Sequence, residues 1–170
     1  MSVSGTIGEH TTPLAEYPHV RGNATLMEVF AAIAGNRDAA DQFRNVLVLD
    51  DADRLVGVLG LHDMLHALLP DYLKHQPTHL EGAADDVESL APLWQEDCAE
   101  QCRLAARAPI GDDVTRIGAS VGLGEPLTKA IYLFATHPVN VLPVVEDGRV
   151  VGVLRLVDVV SEVGKAVRHE

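Results

Sequence analysis

The feature that most constrains this chain is that it contains itself. Asn45–Asp63 (NVLVLDDADRLVGVLGLHD) and Asn140–Asp158 (NVLPVVEDGRVVGVLRLVD) align without a gap at an offset of 95. Asn45, Val46, Leu47, Arg54, Val56, Gly57, Val58, Leu59, Leu61 and Asp63 each recur as the identical residue. Similarity this dense marks a repeat, and whatever unit one copy forms the other must form too. The match extends upstream. Ile7–Thr12 echoes Ile110–Thr115, and Ala24–Phe30 echoes Glu125–Ile131.

The second copy shows what the unit is. Val141, Leu142, Val144 and Val145 form an apolar, β-branched run, and Val150, Val151, Val153 and Leu154 form another. Between them stands Asp147-Gly148, the pair that suits a type I′ hairpin turn, because that turn needs positive φ at both central residues. Both runs are apolar on both faces, which predicts strands inside a sheet covered on each side. Asp158, Val159, Val160, Val163 and Val167 then continue at helical spacing. With the upstream strand and helix, the unit reads βαββα. The first copy lacks the turn glycine: Asp53 takes the place of Gly148. Aspartate tolerates left-handed backbone better than most residues, so the hairpin survives.

In chain order, Met1–Gly5 reads as a loose terminus. Thr11–Val20 is expected to be extended, with Pro13 and Pro18 opposing helix. Asn23 or Thr25 can cap the following helix, whose apolar stripe is Leu26, Val29, Phe30 and Ile33 and which Gly35 ends. From Leu26 to Asn45 is 19 positions, against 13 from Leu127 to Asn140, and the surplus falls within Asn36–Gln42. After Asp63, a buried helix face is expected at Leu65, Leu68, Leu69, Tyr72 and Leu73, with Pro70 kinking that helix or starting a new turn. Lys74–Ala108 has no counterpart of this length in the second copy. It starts polar and becomes helical, with Leu90, Leu93, Trp94, Cys98, Cys102 and Ala105 on one face, which must be covered by something. Trp94, the only tryptophan, would be its largest buried residue. The second unit carries Leu127, Ala130, Ile131 and Phe134 on its first helix.

A lead-in, a helix, a hairpin of the form Leu142-Pro143-Val144-Val145…Asp147-Gly148…Gly152-Val153-Leu154 and a helix opening with Asp158 resemble the CBS domain. Two in tandem resemble a CBS pair, or Bateman module. The resemblance implies an α/β (α+β) fold of two βαββα units, with small sheets packed by helices. The boundaries it implies are 6–73 for the first motif, 74–108 for a helical insertion and 109–168 for the second motif.

The resemblance also implies a site. CBS pairs bind adenosine-containing ligands in clefts between the motifs, using a glycine, two apolar residues, a serine or threonine and, three positions later, an aspartate that accepts from the ribose hydroxyls. The counterparts are Gly57-Val58-Leu59-Gly60-Leu61-His62-Asp63 and Gly152-Val153-Leu154-Arg155-Leu156-Val157-Asp158. Both aspartates are present, and both hydroxyl residues are replaced, by Gly60 and Arg155. The candidate site residues are therefore Asp158, Arg155, Ser120, Val139, Val141, Pro143, Asp63 and Arg116. In this set, backbone groups beside Val139 and Val141 read an adenine edge, while Arg155 and Arg116 bring charge toward phosphate; read from the residues alone, Arg155 is most simply a solvated charge. Each aspartate has a second reading, as a helix-start residue that caps backbone N–H groups. The second motif, with its family-like strand and turn, is expected to be the preferred one. The ligands implied are AMP, ADP, ATP or S-adenosylmethionine.

The formal charge of −12 argues against a nucleic-acid polymer or anionic membrane as partner, since a polyanion wants a basic face. Without an apolar span or a signal-peptide pattern the expectation is a soluble, cytoplasmic protein. His62 and His66, like Cys98 and Cys102, stand four apart, but two ligands do not make a metal site, and none is expected. His75 and His79 flank a proline in a loop. No nucleophile–base pair or phosphate-cradling glycine loop appears, so no enzyme is expected. Two functions remain: a regulatory nucleotide-sensing module that signals to a partner, and a ligand-free dimerisation or interaction module. A metal-responsive sensor is a distant third. In either case a homodimer is expected.

Overall fold

The computed structural model describes residues 5–34, 44–74, 95 and 97–168. The expected helix stop at Gly35, the surplus at Asn36–Gln42, His75 and His79, and the stripe residues Leu90, Leu93 and Trp94 lie outside the described residues, as do the side chains of Tyr72 and Leu73. In chain order the elements are β1 (Thr12–Pro13), β2 (His19–Arg21), α1 (Leu26–Ala34), β3 (Asn45–Leu49), β4 (Leu55–Gly60), α2 (Leu61–Leu68), α3 (Asp71–Lys74), α4 (Cys98–Ala106), α5 (Leu127–Thr136), β5 (Val141–Glu146), β6 (Arg149–Arg155) and α6 (Leu156–Arg168).

The strands form two three-stranded sheets, ordered β2-β3-β4 and β1-β6-β5. The sheets face each other through one apolar layer, in which Leu47, Leu49 and Val58 meet Val141, Val150 and Val153 around the buried ring of Tyr17. Each sheet's other face is covered by its own helices. Leu26, Val29, Met64 and Ala67 pack on Val46, Val48 and Leu59, and Leu127, Ala130, Phe134 and Val159 pack on Leu142, Val144 and Leu154. Helix, sheet, sheet, helix is the layering that strands apolar on both faces require.

The lead-in segments are exchanged. Ile7 is fully buried in the core of the second unit, and Ile110 in that of the first. Thr12–Pro13 pairs antiparallel with Val153 and Gly152, while Thr115 bridges Val58. The two repeat glycines make this possible. A Cβ on Gly57 would stand 2.5 Å from the Thr115 carbonyl oxygen, and one on Gly152 would stand 2.6 Å from that of Thr12. A backbone carbonyl cannot yield as a side chain can, so only glycine admits the crossing arm.

The turns follow the sequence reading, with one addition. Asp147 and Gly148 have φ of 49° and 77°, and Asp53 has φ of 59°. The first hairpin's ladder ends at Leu49 opposite Leu55, leaving Asp50–Arg54 to close a wider turn. The Asp50 carboxylate ties it together, accepting from the Ala52 N–H at 2.8 Å and the Arg54 N–H at 2.9 Å, and pairing with the Arg54 guanidinium at 2.8 Å.

Several apolar stripes differ from expectation. Thr25 caps α1 with Glu28, whose carboxylate accepts from the Thr25 N–H at 2.7 Å. Phe30 lies at the rim of α1's apolar face rather than in the core, and in α2 the buried positions are Met64 and Ala67 while Leu65 is exposed. Pro70 starts a new turn, with the Lys74 N–H donating to its carbonyl at 3.2 Å. The lead-in is extended except for a 3-10 turn at Leu14–Glu16. Cys98 and Cys102 are half-buried in α4 with their sulfurs 3.8 Å apart. Burial and then the neighbouring Cys98 thiol push the Cys102 thiol above its ordinary value.

Candidate functional site

Both hairpins run back to the same kind of junction, where the last strand residue turns directly into a helix. At the first junction Gly60 is the N-cap of α2, with φ −86° and ψ 170°. It has no side chain to cap with, so half of a capping box forms: the Asp63 carboxylate accepts from the Gly60 N–H at 2.8 Å. This cap interaction is the helix-start reading of Asp63, now seen as geometry. It uses Oδ2 on the face where Asp63 also lines a cleft.

That cleft has a volume of about 330 Å³ and is formed where the two units meet. Arg44, Asn45, Val58, Gly60, His62 and Asp63 line it from the first unit, and Thr115, Ile117, Val139, Asn140 and Val141 from the second lead-in and second strand start. The size is at the lower end of the range for small-molecule sites, and apolar walls with a few polar groups are their usual composition. A carboxylate, a guanidinium and an imidazole share one cavity with aliphatic side chains that include Val58, Ile117, Val139 and Val141. Such a set offers a carboxylate to accept from hydroxyls, nitrogen donors for an anion and aliphatic walls for a flat apolar ring.

At the second junction the geometry differs. Arg155 stands where Gly60 stands in the first unit, and its side chain turns back onto Asp158. Nε reaches Oδ2 at 2.6 Å and Nη2 reaches Oδ1 at 2.8 Å, a two-pronged pair. The side chains are 19% and 29% exposed, so solvent screens the pair only partly. Arg155 also lies close to the Tyr17 phenol. Burial pushes that phenol far above its ordinary value, against the opposing pull of the Arg155 charge.

The structure therefore gathers Asp63, Val139 and Val141 in one cleft and joins Arg155 to Asp158 at the other junction. The remaining candidates stand elsewhere. Ser120 lines a separate shallow depression with Gly122, Glu125 and Lys129. Pro143 is a buried strand residue opposite Val153 whose carbonyl accepts from the Val121 N–H at 3.1 Å. Arg116 is exposed between Thr115 and Ile117, which do line the cleft. The backbone beside Val139 is partly engaged: its N–H donates to the His137 carbonyl at 2.8 Å, and the Asn140 carbonyl accepts from the Leu156 N–H at 2.9 Å. Sequence reasoning passed over Arg44 and read His62 as an exposed helix-face residue, with a metal pair as the lesser alternative. The repeat register carried the missing signal, since Arg44 precedes Asn45 as Val139 precedes Asn140, and facing copies bring both strand starts together.

Among the described residues no three His, Cys, Asp or Glu side chains cluster to hold a metal ion. His66 points instead toward Asp113, with Nδ1 at 4.0 Å from its carboxylate. No helix among the described residues is long and apolar enough to cross a membrane.

Two α/β units in tandem, with crossed lead-ins and a cleft between their strand starts, define the class of protein. Residues 7–70 and 112–165 match the family model of the CBS domain. The chain belongs to the CBS-domain family and carries two copies of the domain. Among curated protein sequences none matches it. Solved structures share its fold. The CBS-pair protein CBSX2 from Arabidopsis thaliana is 19% identical with a TM-score of 0.66, over 97% of this chain and 98% of that one. CBSX2 in complex with AMP is 22% identical with a TM-score of 0.59, over 96% and 98%. The cytosolic domain of the Mg2+ channel MgtE in complex with ATP is 23% identical with a TM-score of 0.62, over 92% of this chain and 48% of that one. This chain thus spans about half the length of the MgtE chain.

Proposed function

We propose that this CBS pair is a regulatory module that binds an adenosine-containing nucleotide in the Asp63 cleft and passes the binding on to a partner protein. The observation that carries the reading is the composition of that cleft: Asp63, Arg44 and His62 around a slot walled by Val58, Ile117, Val139 and Val141. In this arrangement Asp63 accepts from the ribose hydroxyls, the aliphatic walls hold the adenine, and Arg44 with His62 faces phosphate. Guanidinium is suited to that last role because its fork of donors matches two phosphate oxygens. The complexes of CBSX2 with AMP and of MgtE with ATP support the ligand class. The sequence reading put the nucleotide first at Asp158; the Arg155 pair favours moving it to Asp63.

The small-molecule content of protein purified from cells, followed by titration with AMP, ADP, ATP and S-adenosylmethionine, tests this. Binding of an adenosine nucleotide that Asp63→Ala weakens is the expected result. No binding of any of the four would favour the interaction-module reading. That reading has its own support, and the homodimer forms part of both. Tyr132 on α5 is 66% exposed, and Val157, Val160 and Val167 on α6 are 61%, 59% and 69% exposed. A two-fold partner is the commonest cover for such a self-complementary face. Light scattering at micromolar concentration is expected to give twice the chain mass, and a monomeric mass would remove the homodimer from the proposal.

A further inference from the structure

The two junctions differ at the position before the helix, Gly60 against Arg155, and that difference has a consequence for how many ligands the protein takes. By the repeat register Asp158 is placed as Asp63 is, three positions into a helix that leaves the end of a strand. At the first junction the position before the helix is Gly60, and its backbone N–H reaches the carboxylate on Oδ2. At the second it is Arg155, and its guanidinium puts one N–H on each oxygen of Asp158. Two parallel donors on two carboxylate oxygens is the pattern a ribose diol would also use. The guanidinium carries a full charge, so its two-pronged pair with the carboxylate adds charge–charge attraction to the hydrogen bonds, whereas a diol brings only neutral donors. The pair is also shielded: Arg155 is 19% exposed, and the Tyr17 ring beside it is 2% exposed in the layer between the sheets.

We infer that Arg155 is a built-in occupant of the second diol-binding position, and that it limits the protein to one nucleoside ligand per chain. The identity of the ligand at the first position rests on the function proposed above, whereas the occupancy of the second by Arg155 does not. Arg155 sets stoichiometry by filling a place in which the related motif has a small hydroxyl residue. A ligand at the second position has first to displace the guanidinium, and its apparent affinity falls by the fraction of molecules in which Arg155 has swung out.

The inference is tested first without ligand. In the free protein the Arg155 Nε–H resonance, assigned by its absence from Arg155→Thr, is expected to be shifted downfield and to exchange slowly with water. Calorimetric titration with AMP then counts sites. Wild type is expected to bind one AMP per chain, Arg155→Thr two, and Arg155→Thr combined with Asp63→Ala one, which Asp158→Ala removes. The combined variant separates the two readings. AMP bound there but not by wild type would uphold the role of Arg155 while sinking the Asp63 cleft as the first site. Three results overturn the inference: a fast-exchanging Arg155 Nε–H, two AMP per wild-type chain, or a folded Arg155→Thr that gains no site up to millimolar AMP. Should Arg155→Thr fail to fold by circular dichroism, Arg155→Gln, which keeps most of the stem and loses the fork, takes its place in every arm.

Discussion

The two repeats share ten identical residues between strand start and helix, yet they have been finished differently at both ends of the hairpin. At the turn, the second copy uses Asp147-Gly148, two residues with positive φ and no further support needed. The first copy has no glycine there and holds its wider turn with the Asp50 carboxylate, while Arg21 pairs with Asp53 at 2.9 Å. At the helix junction the roles reverse. The first copy leaves a bare Gly60 and an accessible cleft, and the second fills the same place with Arg155. A duplicated backbone therefore fixes where a site can be, and single side chains decide whether it is one. The repeat glycines are the exception, because both must admit a crossing arm.

The comparison is most strongly tested where the copies should agree. Gly57→Ala and Gly152→Ala each push a methyl into a backbone carbonyl of the exchanged lead-in. Overpacking of this kind costs about 1–3 kcal/mol, so both variants are expected to lose stability by similar amounts in urea titration. A loss at only one of them would mean that the crossing is not equivalent in the two halves.

The next test is where the copies should differ. Asp63→Ala is expected to weaken nucleotide binding by about 10- to 100-fold, the effect of losing a hydrogen-bonded charge, while Asp158→Ala leaves affinity within about 2-fold. Stability should move the other way. Asp158→Ala strands a partly buried guanidinium, which costs about 1–3 kcal/mol, whereas Asp63→Ala removes one helix-start hydrogen bond. Calorimetry and denaturation on the same four samples, including wild type and the double variant, would read both columns. Equal effects of the two aspartates on affinity would erase the distinction.

A smaller gain is expected from Gly60→Ser. The position already has N-cap geometry, so the hydroxyl can cap α2 and also stand beside the cleft, as the related motif has it. Its Cβ would meet Asn45 Oδ1 at 3.2 Å, the free end of a side chain that can shift. Replacing a cap glycine by serine stabilises by a few tenths of a kcal/mol, and one added neutral hydrogen bond would tighten nucleotide binding by about 2- to 10-fold. Unchanged affinity in a more stable variant would show that the hydroxyl does not reach the ligand.

The smallest effect concerns the turns. The Arg54 backbone N–H holds the Asp50 carboxyl below its ordinary value, with the Ala52 N–H and the Arg54 side chain adding to it. A carboxyl lowered in the folded state stabilises above its unfolded pKa and loses that contribution as pH falls through the folded value. Asp50→Asn should therefore lower stability slightly near neutrality, where the charged carboxylate contributes, and leave it unchanged well below the ordinary aspartate value of 3.8, which flattens the acid limb of the stability profile.

Much of this architecture was legible in the sequence, because the determining signals are local. Strand composition, the Asp147-Gly148 turn and the register of Asn45 with Asn140 place the hairpins and junctions. What was not legible depends on which partner a residue meets across space. Ile7 and Ile110 announce themselves as equivalent, but nothing in their spacing says that each enters the other copy's core. Arg155 could have turned outward to phosphate or inward to Asp158, three residues on, and only the enclosing Tyr17 and neighbouring strand make the inward fork the one adopted. The cleft draws on four separated stretches, so Arg44 and His62 joined it only once the copies faced each other. Leu65 is exposed because the positions of α2 that pack on Val46, Val48 and Leu59 are Met64 and Ala67.

The crossed lead-ins also impose an order in time. Ile7 and Gly8 complete their bonding only with Leu123, Glu125 and the core around Leu127. On a ribosome adding about 5–20 residues each second, those partners emerge roughly 6–25 seconds after Ile7 itself. For that interval the first half of the chain has its hairpin and helices but no fixed place for its own beginning, and its inner sheet face lacks the opposing layer. A nascent chain of this design can collapse early but can close only once, after the second unit has been made. Ile7 is made well before the core that buries it.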